Sequence, residues 1–291
     1  MFAKKDVYVC KECGKEFASM TSLGGHASVV HSTANRAGLS KASKKMWAER
    51  TPEERAAVAA KSLEMRNKWR YEVELTEVQR QLILGGLMGD MSILYPNSRS
   101  SFPRLIISQS AAQEEYLMWK YSILKNLIKS PPVEVVNHGY CAGKIMIRAQ
   151  TMSLPCFTPI YNLVKVGKKT SLSKEWLDEI DHPIALATWY LDDGSLIAGK
   201  NKKYRKVYGH SISIASGYLQ KEQASVLSAW MDRTWGVPVK INWSLKSGNP
   251  NPYATVHINK AADVDAFLAI VRPYAVPCMD YKVTRDYTYT T

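Results

Sequence analysis

Two aspartates, Asp90 and Asp193, close two apolar stretches of this chain. The first is Leu82-Ile83-Leu84-Gly85-Gly86-Leu87-Met88-Gly89-Asp90, the second Ile184-Ala185-Leu186-Ala187-Thr188-Trp189-Tyr190-Leu191-Asp192-Asp193. Each stretch reads as a helix that ends at its aspartate. A carboxylate there meets the negative end of the macrodipole, and two carboxylates brought together repel each other. A divalent cation is the natural compensation, and oxygen donors suit Mg²⁺. Small residues at matching places, Gly85 and Gly89 in one helix and Thr188 and Asp192 in the other, give each a face along which backbones can approach. If the helices pack along those faces, their C-terminal ends meet, and Asp90 and Asp193 with them.

A second constellation lies near the start of the chain. Cys10 and Cys13 are separated by two residues, His26 follows after twelve more and His31 after another four. Two thiolates on a hairpin and two imidazoles about one helical turn apart can close a tetrahedron around Zn²⁺. Phe17 and Leu23 supply the apolar positions of a small ββα core. A unit of this size draws its folding free energy from the metal. Its helix would aim Ser19, Ser22 and Gly25 at bases, none of which makes a strong bidentate contact. The unit therefore reads as an aid to affinity and positioning, with DNA, RNA and protein all open as its partner.

The elements that must position the aspartates form an internal duplication. Thr76-Glu77-Val78-Gln79 is a helix start, and Asp181 before Pro183 is read as the cap of the second helix. After the first helix come a strand near 102–109, an amphipathic helix with Tyr116, Trp119 and Leu124, strands at 133–137 and 144–149, and a helix near 157–164. After the second come a strand near 206–215, a helix with Val226 and Trp230, strands at 237–245 and 253–258, and a helix at 261–271. Each half reads as helix, two strands, helix, two strands, helix. The fold class is α+β, with two copies of one unit related by a pseudo-twofold in a monomer. The expected domains are 1–34, the zinc unit; 35–72, a basic helical segment with a second helix start at Thr51-Pro52-Glu53-Glu54; 73–166, the first repeat; and 167–291, the second.

Composition agrees with a polyanionic partner. The 291 residues carry 39 Lys and Arg against 26 Asp and Glu, a net charge of +13, which favours nucleic acid first. The first 70 residues hold 14 basic and 7 acidic side chains, so that front quarter carries over half of the surplus. No apolar run approaches the roughly 18 residues of a membrane span, and the N-terminus has no signal-like apolar stretch. Five cysteines, an odd number, argue against a disulfide framework. The expectation is a soluble protein inside the cell, neither secreted nor membrane-bound.

The two aspartate-ending motifs, Leu84 to Asp90 and Ala187 to Gly194, resemble those of a monomeric LAGLIDADG homing endonuclease, and the similarity runs through about residues 73–285. Residues 8–31 resemble a two-Cys two-His zinc finger. The resemblance implies two αββαββα repeats forming a DNA-binding saddle, with the finger and basic segment added at the N-terminus. It implies a site-specific endonuclease that cuts both strands of a double-stranded DNA target. Asp90 and Asp193 would hold catalytic Mg²⁺ or Mn²⁺, with the carbonyls of Gly89 and Asp192 as further ligands. Lys169, in Lys168-Lys169-Thr170, and Lys282, after Tyr281, match the family's supporting basic residues, and Gln150 matches a polar position near the cleft. Met91 in place of a small residue, and Gly86 in place of a larger apolar one, depart from the pattern.

On such a saddle the outward strand faces would read DNA. Arg99, Arg104, Lys144 and Arg148 belong to the first half, together with Gln150. Lys202, Lys203 and Arg205 cluster at a strand turn of the second half, and Lys240, Asn242, Ser244 and Lys246 follow at alternating positions. The rivals are a splicing maturase of the same fold, for a group I intron RNA, and a non-cleaving DNA-binding regulator.

Overall fold

The structure is a computed structural model that describes residues 7–11, 13–26, 43–136, 143–201, 203–217, 219–245 and 252–288. His31, Lys202 and Lys246 lie outside the described residues. The chain divides into two compact units, Met1–Lys68 and Trp69–Thr291.

In the first unit a short hairpin, β1 (Tyr8–Val9) with β2 (Glu16–Phe17), precedes helix α1 (Met20–His26). Gly14 makes the turn at φ +73°, a left-handed conformation that suits glycine. Ser19 Oγ accepts from the Ser22 amide, one of the orphan donors at the start of α1. Residues 43–49 are helical, and helix α2 (Pro52–Tyr71) follows. Thr51 and Glu54 close the expected capping box, each side chain accepting from the other's amide at 3.2 and 2.9 Å. Arg55 donates to the carbonyls of Trp47 and Ala48, the last ones of the preceding helical turn, where the backbone lacks partners.

The second unit holds both repeats. The first consists of α3 (Glu77–Met88), β3 (Ser92–Leu94), β4 (Arg104–Ser110), α4 (Glu114–Leu124), β5 (Val133–Val136), β6 (Ile145–Gln150) and α5 (Thr158–Val164). A small hairpin, β7 (Lys165–Val166) with β8 (Lys169–Thr170), and a short helix α6 (Lys174–Asp178) connect it to the second. The expected junction between residues 166 and 167 falls in the turn of this hairpin, where Gly167 has φ +63°. The second repeat then runs α7 (Pro183–Asp193), β9 (Gly194–Asn201), β10 (Lys206–Ala215), α8 (Ala224–Trp235), β11 (Lys240–Leu245), β12 (Pro252–Ile258) and α9 (Ala261–Val271), with α10 (Asp280–Val283) near the end.

Each repeat folds its four strands into an antiparallel sheet, ordered β3-β4-β6-β5 in the first and β9-β10-β12-β11 in the second. Equivalent strands occupy equivalent places, which is the duplication in three dimensions. Alternation does the sorting. In β4, Leu105 and Ile107 face inward while Arg104, Ile106 and Ser108 are half-buried on the other face. In β12, Ala254, Val256 and Ile258 face inward. One apolar core spans both repeats and takes in Leu82, Ile83 and Leu84 of α3 and Trp189, Tyr190 and Leu191 of α7. Burying each such side chain is worth about 1.5–3 kcal/mol.

The helix starts differ in one respect from expectation. Thr76 caps α3 through a reciprocal box with Gln79, as its sequence predicts. The cap of α7 is His182 rather than Asp181: His182 Nδ1 accepts from the Ile184 amide at 3.2 Å. Asp181 is engaged elsewhere, accepting from Gln81 Nε2 at 3.2 Å. That bond ties the entry of α7 to the first turns of α3.

Candidate active site at the joined helix ends

Helices α3 and α7 pack against each other along the small-residue face. A Cβ placed on Gly85 would lie 2.1 Å from the carbonyl oxygen of Ala185, and one on Gly89 would lie 2.5 Å from Cβ of Asp192. Real atoms never approach so closely, so glycine at both positions permits the contact. It also brings the C-terminal ends of the two helices together.

Asp192 stands at the centre of what results. Its Oδ1 accepts from Lys120 Nζ at 2.5 Å and from Gln109 Nε2 at 3.1 Å; its Oδ2 accepts from the Asp90 amide at 3.1 Å. Gln109 Nε2 also donates to Asp90 Oδ2 at 3.1 Å, so one amide group bridges the two motifs. The side chains of Lys120 and Asp192 are completely buried. Lys120 also lies over the Tyr116 ring, 4.3 Å from its centroid, a favourable cation–π contact. From the other side Lys282 Nζ donates to the carbonyls of Leu191 at 2.6 Å and Asp192 at 3.1 Å. Its own carbonyl accepts from Tyr190 Oη at 2.5 Å.

The electrostatics follow from this crowding. Burial, then repulsion from Asp90 and Asp192, pushes the Asp193 carboxyl up to about 7. Asp90 is raised above the ordinary carboxylate range, first by loss of hydration and then by the charge of Asp192. Lys120 and Lys282 act against both shifts without removing them. Burial lowers Lys282, and the surrounding aspartates oppose that. The Tyr116 hydroxyl is held well above its usual range by burial and then by Asp192. The cluster thus holds more negative charge than its own cations neutralise.

The sequence-derived positions distribute as follows. Asp90, Gly89, Asp192, Asp193 and Lys282 gather at the joined helix ends. Lys169 is exposed on β8, at the rim of a cleft lined by Gly217, Gln220, Trp243 and Tyr253. Tyr253 is raised by burial and then by Asp193, which places that cleft within electrostatic reach of the acids. The lysine of the first half that touches the cluster directly is Lys120. Sequence reasoning missed Lys120, Gln109 and the carboxylate of Asp192. The available signals were a lone Lys amid the apolar residues of α4, and a polar residue at an inward position of β4.

Arg104, Arg148 and Gln150 line one groove on the outward face of the first sheet, together with Lys129. Arg148 stands opposite Ser108 in the ladder, and its Nε donates to Ser108 Oγ at 3.1 Å. Arg99 and Lys144 are exposed beside this sheet. In the second sheet Lys240, Asn242 and Ser244 are exposed on one face of β11, paired with His257, Thr255 and Tyr253 of β12. Lys203 and Arg205 are exposed at the turn between β9 and β10, and Arg205 adopts φ +50°.

In the first unit the ligand atoms of Cys10, Cys13 and His26 all lie within 4.8 Å of one another, and Cys13 Sγ is 3.1 Å from His26 Nε2. The Phe17 and His26 rings pack at 4.7 Å between centroids. Two sulfurs and one imidazole nitrogen at this separation fit a tetrahedral zinc site.

The chain is similar to known proteins. A model of the LAGLIDADG DNA endonuclease family matches residues 80–258, and a model of the C2H2-type zinc finger matches residues 7–32. A Protein RecA of Mycolicibacterium flavescens is 30% identical over 213 residues, covering 72% of this chain and 47% of its own length. The chain thus spans about half the length of that relative. A probable intron-encoded endonuclease 1 of Wickerhamomyces canadensis is 24% identical over 211 residues, covering 72% of this chain and 85% of its own. In fold, the chain resembles the homing endonuclease I-WcaI bound to its DNA recognition sequence. The TM-score is 0.63 at 21% identity, with 75% of this chain and 92% of that one covered. Two motifs ending in aspartates at a shared helix seam, two equivalent four-stranded sheets and a family match across both repeats lead to one assignment: the chain belongs to the LAGLIDADG DNA endonuclease family.

Proposed function

We propose that this chain is a monomeric, site-specific endonuclease that hydrolyses a phosphodiester bond in each strand of a double-stranded DNA target. The observation that carries this reading is the convergence of Asp90 and Asp193 at the α3–α7 seam, where loss of hydration raises both carboxyls, aided by the charge of Asp192 at Asp90 and by those of Asp90 and Asp192 at Asp193. Such a pair has little value as plain structure. It fits a divalent cation, because Asp90 and Asp193 offer oxygen donors while the adjacent lysines are committed to Asp192 and to backbone carbonyls.

Asp90 and Asp193 would hold Mg²⁺ or Mn²⁺, with the carbonyls of Gly89 and Asp192 as further donors. Bound there, the ion would supply an activated water and neutralise charge on the phosphoryl and leaving oxygens. The chain's own part is to orient. Gln109 holds the Asp90 carboxylate, and Lys282, placed beside the acids, would stabilise negative charge developing on phosphate. Lys169 is assigned the same task in the other half. The outward faces bearing Arg99, Arg104, Lys144, Arg148 and Gln150 in one repeat, and Lys203, Arg205, Lys240, Asn242 and Ser244 in the other, would lie against DNA. Cys10, Cys13 and His26, with His31 as fourth ligand, would hold Zn²⁺ in a finger that adds grip.

The same reading sets the protein to work inside a cell, in cytoplasm, nucleoid or organelle. Cys10 and Cys13, placed as metal ligands rather than as a disulfide pair, support a reducing compartment. Among the described residues no helix is long and apolar enough to cross a membrane.

The test is selection of cleaved sites from a randomised duplex library in Mg²⁺. Recovery of one family of sites, cut on both strands and left intact in EDTA, is the expected result. Tight binding of intron RNA without DNA cleavage would replace the proposal with the splicing role. Sequence-specific DNA binding without cleavage would replace it with a regulator.

A further inference from the structure

The two motifs are unlike at one place. Gly89 and Asp192 occupy equivalent positions, one residue before Asp90 and Asp193 respectively. Only one of the two can carry a side chain, because a Cβ on Gly89 would fall 2.5 Å from Cβ and 2.7 Å from Oδ2 of Asp192. The space beside Gly89 is filled by the Asp192 side chain of the second repeat. The Asp192 carboxylate is completely buried, and protein groups occupy both of its oxygens: Lys120 and Gln109 on Oδ1, the Asp90 amide on Oδ2. It is thereby an internal acceptor, and the group it fixes is the backbone of the first repeat's acid. Nothing reciprocal is available to Asp193, since Gly89 has no side chain. The second repeat instead has Lys282, which donates to the carbonyls of Leu191 and Asp192.

From this asymmetry we infer that Asp192 is a positioning residue for Asp90 alone, with Lys120 as its buried counter-ion, and that the pair makes the two half-sites unequal. Lys120 balances the charge that Asp192 carries into the core, since a carboxylate buried without a partner is strongly disfavoured. The hydrogen bond from the Asp90 amide then sets where the Asp90 carboxylate points. Small displacements at a reacting centre have large effects on rate. Loss of this bond is therefore expected to slow one strand's cleavage more than the other's.

The inference rests on the endonuclease reading, and its test separates the two. Each strand of a selected target duplex is end-labelled differently, and the two cleavage rates are measured in Mg²⁺ together with thermal unfolding. Lys120→Met with Asp192→Leu removes charge and acceptor while keeping bulk. Lys120→Met with Asp192→Asn removes the charge but leaves an oxygen for the Asp90 amide. The leucine variant is expected to change the ratio of the two strand rates by roughly tenfold, the equivalent of one lost hydrogen bond, and to accumulate nicked duplex. The asparagine variant is expected to hold the wild-type ratio. Equal slowing of both strands in the leucine variant, or a ratio shift in the asparagine variant, overturns the positioning role while leaving the endonuclease intact. A wild-type protein that cuts neither strand overturns the endonuclease reading itself.

Discussion

Met91 occupies the space that a side chain at residue 86 would need. A Cβ on Gly86 would lie 2.5 Å from Sδ and 2.8 Å from Cγ of Met91, which is itself buried, and the Met91 amide donates to the Gly86 carbonyl at 2.8 Å. These are the two positions at which the first motif departs from the family pattern. Each departure accommodates the other: the missing bulk on the helix is restored from the residue just beyond its end.

The two positions are therefore expected to be coupled. Gly86→Leu alone should destabilise by about 1–3 kcal/mol through overpacking, and Met91→Ala by about 2–5 kcal/mol through a cavity. Combining Gly86→Leu with Met91→Ala should cost less than the sum. Urea unfolding of the three variants in a double-mutant cycle measures the coupling.

Asp90→Asn and Asp193→Asn each remove a carboxylate from a site with excess negative charge. Cleavage should fall more than about 100-fold in both, since metal-assisted stabilisation is worth several kcal/mol. In metal-free buffer at neutral pH the same variants should unfold at higher temperature than the wild type, because repulsion is relieved. Rate assays and calorimetry on the same preparations read both effects.

The Asp193 shift predicts a pH dependence of definite sign. Its carboxyl is pushed up to about 7 in the folded protein, against about 3.9 for an aspartate in the unfolded chain. Between those limits the native state holds the proton more tightly than the unfolded chain does. This contribution is favourable at low pH, and stability of the metal-free protein should decline as pH rises from about 4 to about 7. The stabilisation added by Mg²⁺ should grow over the same interval, as the ion takes the proton's place. Thermal unfolding across the interval, with Mg²⁺ and with EDTA, checks both trends.

The finger is expected to bind one equivalent of zinc. Cys10→Ser should abolish it, since loss of a thiolate removes most of a binding energy of about 10–16 kcal/mol that is also folding energy. Zinc content by atomic spectroscopy, and proteolysis within residues 7–26, would report loss of metal and loss of fold together.

Arg148 is held through its Nε by Ser108, which leaves the end of the guanidinium for the groove. Arg148→Ala should cost about 1–3 kcal/mol on the selected target and relax preference at one base pair, the mark of a base contact. Binding measured on the target and on single-base variants of it gives the answer.

Much of the architecture was legible from residue order. Strands near 102–109, 133–137, 144–149, 206–215 and 253–258, and the helices between them, stand where alternation and periodicity put them, because burial on one face imposes those patterns locally. The gathering of Cys10, Cys13 and His26 followed from spacing for the same reason, since Cys10 and Cys13 share a hairpin, while His31 lies outside the described residues. The cap of α7 was misread by one residue: Asp181 and His182 can both accept from an amide, and only the competing bond from Gln81 separates them. Lys120 and Gln109 were passed over because each looks ordinary in its own element, a lysine on a helix and a glutamine on a strand.

Residue order by itself determined the duplication, the two terminal acids and the glycines that let their helices touch, because these are properties of single segments and of bulk at single positions. Tertiary structure decided which charges share the seam. Lys120 lies 72 residues from Asp192, and Gln109 lies 19 from Asp90 and 83 from Asp192. Partners so far apart along the chain are chosen by how sheets and helices stack, since the strength of a buried charge pair depends on distance and lost hydration, neither of which is written in any one segment.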